Sequence, residues 1–192
     1  MILAGGLGRR IGGAKAVVQL GGRPLISYPL QALQAALGEV AIVAKPDTEL
    51  PRLPGAVVWI ESEPTRHPLV GLVQALGLAE GRAVLACAAD LPFVTPALVR
   101  RLARPDSDGA AVVVASYRGD MQPLLGCYQP STLEPLSRAV LGGGLPVREA
   151  VAALAPRLLE VKDPELLFNV NAPDDLAVAA AMLDRRRSAN QT

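Results

Sequence analysis

Histidine and cysteine are nearly missing from this 192-residue chain, which has one histidine, His67, and two cysteines, Cys87 and Cys127. A lone histidine with no cysteine or second histidine beside it cannot build a zinc site, and no nearby serine or cysteine completes a nucleophilic triad. His67 is therefore expected to be solvent-exposed or lightly structural. Both cysteines lie inside apolar, strand-like runs, where a free thiol behaves as a small buried hydrophobe, so no disulfide framework is expected. An excess of charge is missing too. The net charge of +1 gives no global attraction to nucleic acid or to a membrane surface, and any preference for anions must be local. Long hydrophobic runs are absent: Pro, Gly or Asp interrupts each one before the ~18 residues that a membrane helix needs. The start, Met1-Ile2-Leu3, reads as a strand entering glycines rather than as a cleavable leader. A cytoplasmic protein is expected.

What is present is apolar. Hydrophobic residues make up 51% of the chain and charged ones 19%, which excludes disorder and predicts a compact core rich in buried sheet. The length suits one domain, taken as 1–187, with a frayed tail at 188–192. No internal repeat or long linker divides it.

The most distinctive stretch is the first fifteen residues. A short strand breaks at Ala4 into Gly5, Gly6, Gly8, Gly12 and Gly13, interleaved with Arg9, Arg10 and Lys15. Glycines let bare backbone N–H groups approach an anion, and the cations surround it, which is what a phosphate needs. Neither named glycine fingerprint fits. A dinucleotide loop counted from Gly6 and Gly8 wants glycine where Ile11 stands, and a P-loop counted from Gly8 wants lysine where Ala14 stands. The bland alternative is a glycine-rich surface turn.

Strands and helices alternate through the first half. Val17–Leu20 closes the loop, and Pro24 starts a helical pattern carried by Leu25, Tyr28, Leu30, Leu33 and Leu37. Glu39–Ala44 reads as a buried parallel strand and Ala56–Ile60 and Ala83–Cys87 as the third and fourth strands, with a proline-rich loop at Lys45–Gly55 and a helix at Pro68–Ala79. That alternation predicts an α/β three-layer sandwich in one domain, with a mostly parallel, Rossmann-like sheet and its ligand beyond the carboxyl ends of the strands. In the second half, Ala110–Tyr117 and Gln122–Tyr128 flank Arg118-Gly119-Asp120, an antiparallel hairpin added to the parallel half. The tripeptide reads as turn chemistry rather than an adhesion signal. Helices follow at Pro130–Leu141 and Pro146–Leu154, a strand at Arg157–Val161, and a closing helix at Pro173–Arg187. Its acids, Asp174 and Asp175, sit at the positive end, and Arg185-Arg186-Arg187 at the negative end reads as a helix-end cluster.

Asp90 is the sharpest single candidate, because the apolar run Ala83–Ala89 delivers one carboxylate at the end of a strand. Such an acid is either a turn cap or a ligand for a hard divalent cation. Asn169 and Asn171 have the same ambiguity: amides cap helices, and they also donate to phosphate oxygens or accept from a metal and its waters.

Several of these stretches together resemble the signatures of the MobA-like nucleotidyltransferases, the family of the molybdenum cofactor guanylyltransferases. Leu3-Ala4-Gly5-Gly6, Arg9-Arg10-Ile11-Gly12, Lys15 and Leu20-Gly21-Gly22-Arg23-Pro24-Leu25 resemble its opening. His67-Pro68-Leu69-Val70-Gly71 resembles its Gly-Pro-Leu-x-Gly segment, Asp90-Leu91-Pro92 its metal strand, Gln122-Pro123-Leu124 its acceptor-side strand, and Phe168–Leu176 its Asn-Val-Asn segment. The resemblance implies the nucleotide-diphospho-sugar-transferase-like fold and transfer of GMP from GTP to molybdopterin with release of pyrophosphate. It assigns catalysis to Arg9, Arg10, Lys15 and Asp90. Nucleotide binding falls to Leu3, Ala4, Gly5, Gly6, Gly8, Lys15, Glu61, Gly71, Asn169 and Asn171, and a magnesium ion to Asp90 and Asn171. The implied partners are small-molecule substrates, with transient contact with other molybdenum-cofactor enzymes and with neither nucleic acid nor membrane. The oligomeric state, monomer or weak oligomer, stays open.

The chain departs from the pattern at several points, His67 standing where glycine is usual among them. Ala14 precedes the loop lysine where Asp is usual, Val43-Ala44-Lys45 stands where an amide often meets the base, and Glu61-Ser62-Glu63 replaces the acid after the third strand. Leu-Ala-Gly-Gly favours guanylyl over cytidylyl relatives, which remain the nearest alternative beside sugar-phosphate nucleotidyltransferases and an inactive nucleotide-binding relative.

Overall fold

The computed structural model describes residues 1–5, 15–61, 63, 65–104, 108–143 and 145–189. Gly6, Gly8, Arg9 and Arg10, four of the expected site residues, lie outside the described residues, as does the tail at 190–192.

Strands β1 (Ile2–Leu3), β4 (Ala41–Ala44), β5 (Val57–Ile60) and β6 (Val84–Ala88) run parallel in the order β5-β4-β1-β6. Strands β7 (Val112–Tyr117), β8 (Asp120–Tyr128) and β9 (Arg157–Glu160) continue the sheet in the order β8-β7-β9. Only β8 runs against the rest, so the hairpin is inserted inside the sheet and β9 returns parallel to β7.

Helices cover both faces, which is why the central strands read as unbroken apolar runs rather than as alternations. The alternation is still there, divided between two cores. Ile42, Ala44, Leu85, Cys87, Val113 and Ala115 pack under α1 (Ser27–Gln34) and α3 (Pro96–Ala103). Ala41, Val43, Val84, Ala86, Val112 and Val114 face α2 (Pro68–Leu78), α4 (Leu133–Leu141) and α5 (Val147–Ala152). A satellite cluster of Leu20, Leu25, Phe93, Val170 and Ala179 seats α6 (Pro173–Ala189) against the start of the chain.

Four local expectations are corrected. Pro24 does not start a helix: Arg23–Pro24 forms β3, pairing with β2 (Gln19–Leu20) around Gly21 and Gly22, both at positive φ. Two glycines with left-handed backbone are what a tight two-residue hairpin requires, and the helix begins only at Ser27. The second hairpin turns on Arg118 and Gly119, with Asp120 already in the strand. Thr95-Pro96 opens α3, a helix absent from the reading above, with Thr95 Oγ1 accepting from the Leu98 N–H at 3.3 Å. The final helix continues to Ala189, past the expected frayed point.

Candidate active site

The carboxyl ends of the parallel strands meet at one edge of the sheet. Gly5 follows β1, Lys45 follows β4, Glu61 follows β5 and Asp90 follows β6, and all four line a cleft of about 340 Å³ together with Leu3, Ala4, Lys15, Arg66 and His67. Lys15 and Asp90 meet directly: the lysine Nζ donates to Asp90 Oδ2 at 2.8 Å and to Asn171 Oδ1 at 2.6 Å. Side chains from the first loop, the end of β6 and the approach to α6 thus share one cation.

Asn171 is available for this because another residue does the capping. Asp175 Oδ2 accepts from the Asn171 and Ala172 N–H groups at 2.8 and 2.9 Å, satisfying the entry of α6 and leaving the Asn171 amide free. The Val170 N–H donates to the Asp90 carbonyl at 3.0 Å, which ties the Asn-Val-Asn segment to the end of β6. Asn169 also does not cap a helix; its Nδ2 donates only weakly to the Leu167 carbonyl, at 3.4 Å.

Asp90 Oδ1 is buried and has no hydrogen-bond partner among the described residues. An unpaired buried carboxylate oxygen is costly, so a ligand that supplied the missing partner would be favoured at this point. A carboxylate and an amide oxygen are the hard donors that magnesium takes, and a site that shares the ion with phosphates needs few protein carboxylates. No cluster of three or more His, Cys, Asp or Glu placed to hold a metal occurs among the described residues.

A second hollow of about 310 Å³ opens on the other side of Asp90, walled by Gln122, Leu124, Arg148, Asn169 and Asn171. It shares Ala88, Asp90 and Leu124 with the first. The wall exists because β8 bulges: Gly126 pairs with Val114 and Gln122 with Ala115, so Pro123–Leu125 have no counterpart on β7. A bulge tolerates the missing N–H of Pro123 and re-aims its neighbours. Tyr128, fully buried, donates its hydroxyl to the Pro123 carbonyl and holds the bulge in place.

Some expected residues sit elsewhere or do something else. Gly71 does not line the cleft. It lies behind it in α2, where a Cβ would fall 2.5 Å from Leu3 Cδ2, 3.2 Å from Glu61 Oε2 and 3.3 Å from Val43 Cγ1. His67, half-buried, is the N-cap of α2, its Nδ1 accepting from the Leu69 N–H at 3.3 Å. Two cleft residues were not singled out by sequence. Lys45 is almost fully buried against Glu61, and Arg66 pairs with Asp47 while reaching the Gly5 carbonyl at 3.5 Å. The sequence signals for Lys45 were its place directly after a buried strand and within the stretch where the family often has an amide.

A larger hollow, about 660 Å³, lies between Met1, Trp59, Arg82 and Cys127 at the amino ends of the strands. It holds none of the expected site residues, and its size does not make it the site. The arginines at the end of α6 are paired with acids, Arg185 and Arg186 with Glu165 in the turn before the helix and Arg187 with Asp184 on it. Among the described residues no helix is long and apolar enough to cross a membrane.

The MobA-like NTP transferase domain matches residues 1–158. A protein of Chloroflexus aggregans named "Probable molybdenum cofactor guanylyltransferase" is 34% identical, covering 95% of this chain and 93% of its own. The crystal structure of molybdopterin-guanine dinucleotide biosynthesis protein A from Archaeoglobus fulgidus superposes with a TM-score of 0.81 at 26% identity, over 96% of this chain and 97% of that one. The 2-C-methyl-D-erythritol 4-phosphate cytidylyltransferase of Thermus thermophilus superposes at 0.69 with 25% identity, over 94% and 96%. With its glycine-rich opening, its single strand-end aspartate and a family match over most of its length, this chain belongs to the MobA-like NTP transferases and is a nucleotidyltransferase of that family.

Proposed function

We propose that this chain transfers GMP from GTP to molybdopterin, releasing pyrophosphate and forming a guanine dinucleotide cofactor. One observation carries the reading of the site: two hollows, each large enough for a small substrate, share Asp90, where Lys15 and Asn171 also converge. A transferase must bring two substrates to one point, and a single-substrate hydrolase needs no second hollow. The larger of the two accepts the triphosphate nucleotide, with its phosphates at the Gly5–Lys15 loop. The acceptor enters along Gln122, Leu124 and Arg148.

The chemistry needs no covalent enzyme intermediate. A phosphate oxygen of the acceptor attacks the α-phosphorus of GTP, the bond from that phosphorus to the bridging oxygen breaks, and the electron pair leaves with pyrophosphate. The attacking phosphate is already anionic, so no general base is required. Lys15 supplies a positive charge beside Asp90, and Arg9 and Arg10 add the charge read from the sequence. Catalysis is positioning and electrostatic stabilisation, which together lower such barriers by several kcal/mol, on the order of the effects known for oriented reactants and fixed dipoles. Magnesium held by Asp90 and Asn171 would supply charge neutralisation on the phosphates. The choice of GTP and molybdopterin is supported by the relatives named above.

The test is direct. Purified protein incubated with magnesium, molybdopterin and each of GTP, CTP, ATP and UTP should release pyrophosphate only with GTP, and Asp90→Asn should lower the rate by about a hundredfold or more. Release with CTP alone would make the chain a cytidylyltransferase, the alternative that the Thermus neighbour represents. Binding of GTP without release would identify an inactive relative.

A further inference from the structure

Three cationic side chains line the cleft at the strand ends among the described residues, Lys15, Lys45 and Arg66, and they differ in what they leave unpaired. Lys15 spends two of its three N–H donors on Asp90 and Asn171. Lys45 is buried and saturated: its ammonium donates to Glu61 Oε1, to the Glu63 carbonyl and, at 2.8 Å, to the Thr65 carbonyl. Each lysine is therefore offset by a carboxylate of the same cleft. Arg66 is not. Its guanidinium has five N–H donors, of which one meets Asp47 Oδ2 and one reaches the Gly5 carbonyl at 3.5 Å, leaving three without a partner among the described residues. The Arg66 side chain is 32% exposed and that of Asp47 64%, so water screens the pair and the acid offsets the guanidinium only weakly.

The backbone beneath Arg66 is held on both sides. The Thr65 carbonyl is fixed by Lys45, and His67 caps α2, its Nδ1 accepting from the Leu69 N–H at 3.3 Å. From this anchored turn the side chain reaches Gly5, where β1 has ended and the glycines of the first loop begin. At 3.5 Å the Gly5 carbonyl is a poor partner for a guanidinium. A phosphate is a better one, because two adjacent N–H groups of the planar fork match two phosphate oxygens.

We propose that Arg66 is a phosphate-binding residue of the nucleotide site, the cation that the cleft keeps uncompensated for the triphosphate. This rests on reading the cleft as the nucleotide site. Lys15 and Arg66 then bring charge to the phosphates from two different loops, one after β1 and one before α2.

Wild type, Arg66→Gln and Arg66→Lys are titrated calorimetrically with GTP and GMP in magnesium, guanosine is measured by displacement of GTP, and kcat, KM and urea midpoints are recorded alongside. Arg66→Gln should raise the Kd and KM for GTP at least about tenfold, the scale of one lost charge-assisted hydrogen bond, with kcat within about threefold. Guanosine, which has no phosphate, should bind wild type and Arg66→Gln alike. A loss shared by GMP assigns the contact to the α-phosphate, and a loss confined to GTP assigns it to the β- and γ-phosphates. Arg66→Lys should fall between the other two, because lysine keeps the charge and loses the fork. The three urea midpoints should agree, as expected for an exposed pair. A folded Arg66→Gln that binds GTP like wild type, or that weakens guanosine as much as GTP, overturns the proposal and leaves the nucleotide site standing. So does a loss of GTP affinity matched by a fall in urea midpoint, which would make Arg66 a brace for the Gly5 loop. Failure of wild type to bind GTP removes both.

Discussion

Lys15 occupies an unusual place for a phosphate-binding lysine, because its ammonium lies between the two oxygens that would hold a divalent cation. Asp90 Oδ2 and Asn171 Oδ1 are both engaged by it, so a divalent ion and this ammonium compete for the same ligands. Manganese titrated into nucleotide-free protein and followed by electron paramagnetic resonance should bind weakly to wild type, about tenfold or more tightly to Lys15→Met, and not at all to Asp90→Asn. Equal affinity in wild type and Lys15→Met would show that the ammonium does not occupy the cation's position. Gly71 gives a second residue-scale expectation. Alanine in a helix interior ordinarily gains about 1 kcal/mol over glycine, but here the added methyl meets Leu3, Val43 and Glu61 from three different strand ends. Overpacking of this kind costs about 1–3 kcal/mol, so Gly71→Ala should lose stability in urea unfolding and weaken GTP binding as Leu3 and Glu61 shift; a gain in stability would show that the neighbours yield freely. Asp90 was legible in sequence because an apolar strand ending in one acid is rare chemistry. Lys45 was not, because its meaning depends on Glu61, Glu63 and Thr65, which reach it only through a neighbouring strand.

Elements that carry their own signals were legible, and those defined by pairing were not. The strands β4, β5 and β6 and the helices α2 and α6 follow from apolar runs and from proline starts. The β2–β3 hairpin hides in Leu20-Gly21-Gly22-Arg23-Pro24, where proline is as compatible with an edge strand as with a helix start, and only the pairing of Leu20 with Arg23 decides. The exception is α3, which carries a signal of its own that the sequence reading passed over, an N-cap threonine followed by proline, with Leu98, Val99 and Leu102 as its buried face. The β7 to β9 region also carries an element-scale prediction. Glu160, on β9, accepts from Ser116 Oγ at 2.7 Å and from the Arg118 N–H at the hairpin turn. The Ser116 hydroxyl first, and the Arg118 N–H after it, hold its carboxyl below the usual range. A carboxylate depressed in the folded state adds stability above its unfolded pKa, about 4.3, and loses it as pH falls through the folded value. Urea midpoints measured from neutral pH down through the acid range should therefore fall less steeply for Glu160→Gln than for wild type, and parallel acid limbs would remove Glu160 from the balance.

At the scale of the whole molecule, both cysteines are free and buried, Cys87 in the core under α1 and α3 and Cys127 at the floor of the hollow at the amino ends of the strands. Burial pushes the Cys87 thiol up to about 12 and raises Cys127 as well. Since the thiolate is the reactive form, folded protein at pH 8 should react with a disulfide reagent only as fast as it opens, and both thiols should titrate at once in denaturant; rapid stoichiometric reaction of the native chain would contradict the burial of both. The same interior explains what composition alone could establish. A chain with this apolar content, alternating strands and helices, and no excess charge must bury a two-sided parallel sheet, and such a sheet places its ligand at the strand ends. Local chemistry decided that much, since hydrophobic period and glycine or proline punctuation are properties of neighbouring residues. The meeting of Lys15 with Asp90 and Asn171, the bulge that aims Gln122 and Leu124 at a second hollow, and the saturation of Lys45 were decided by tertiary structure alone. Each depends on distances between residues far apart in the chain, and those distances are set by strand order and register, which no local pattern encodes.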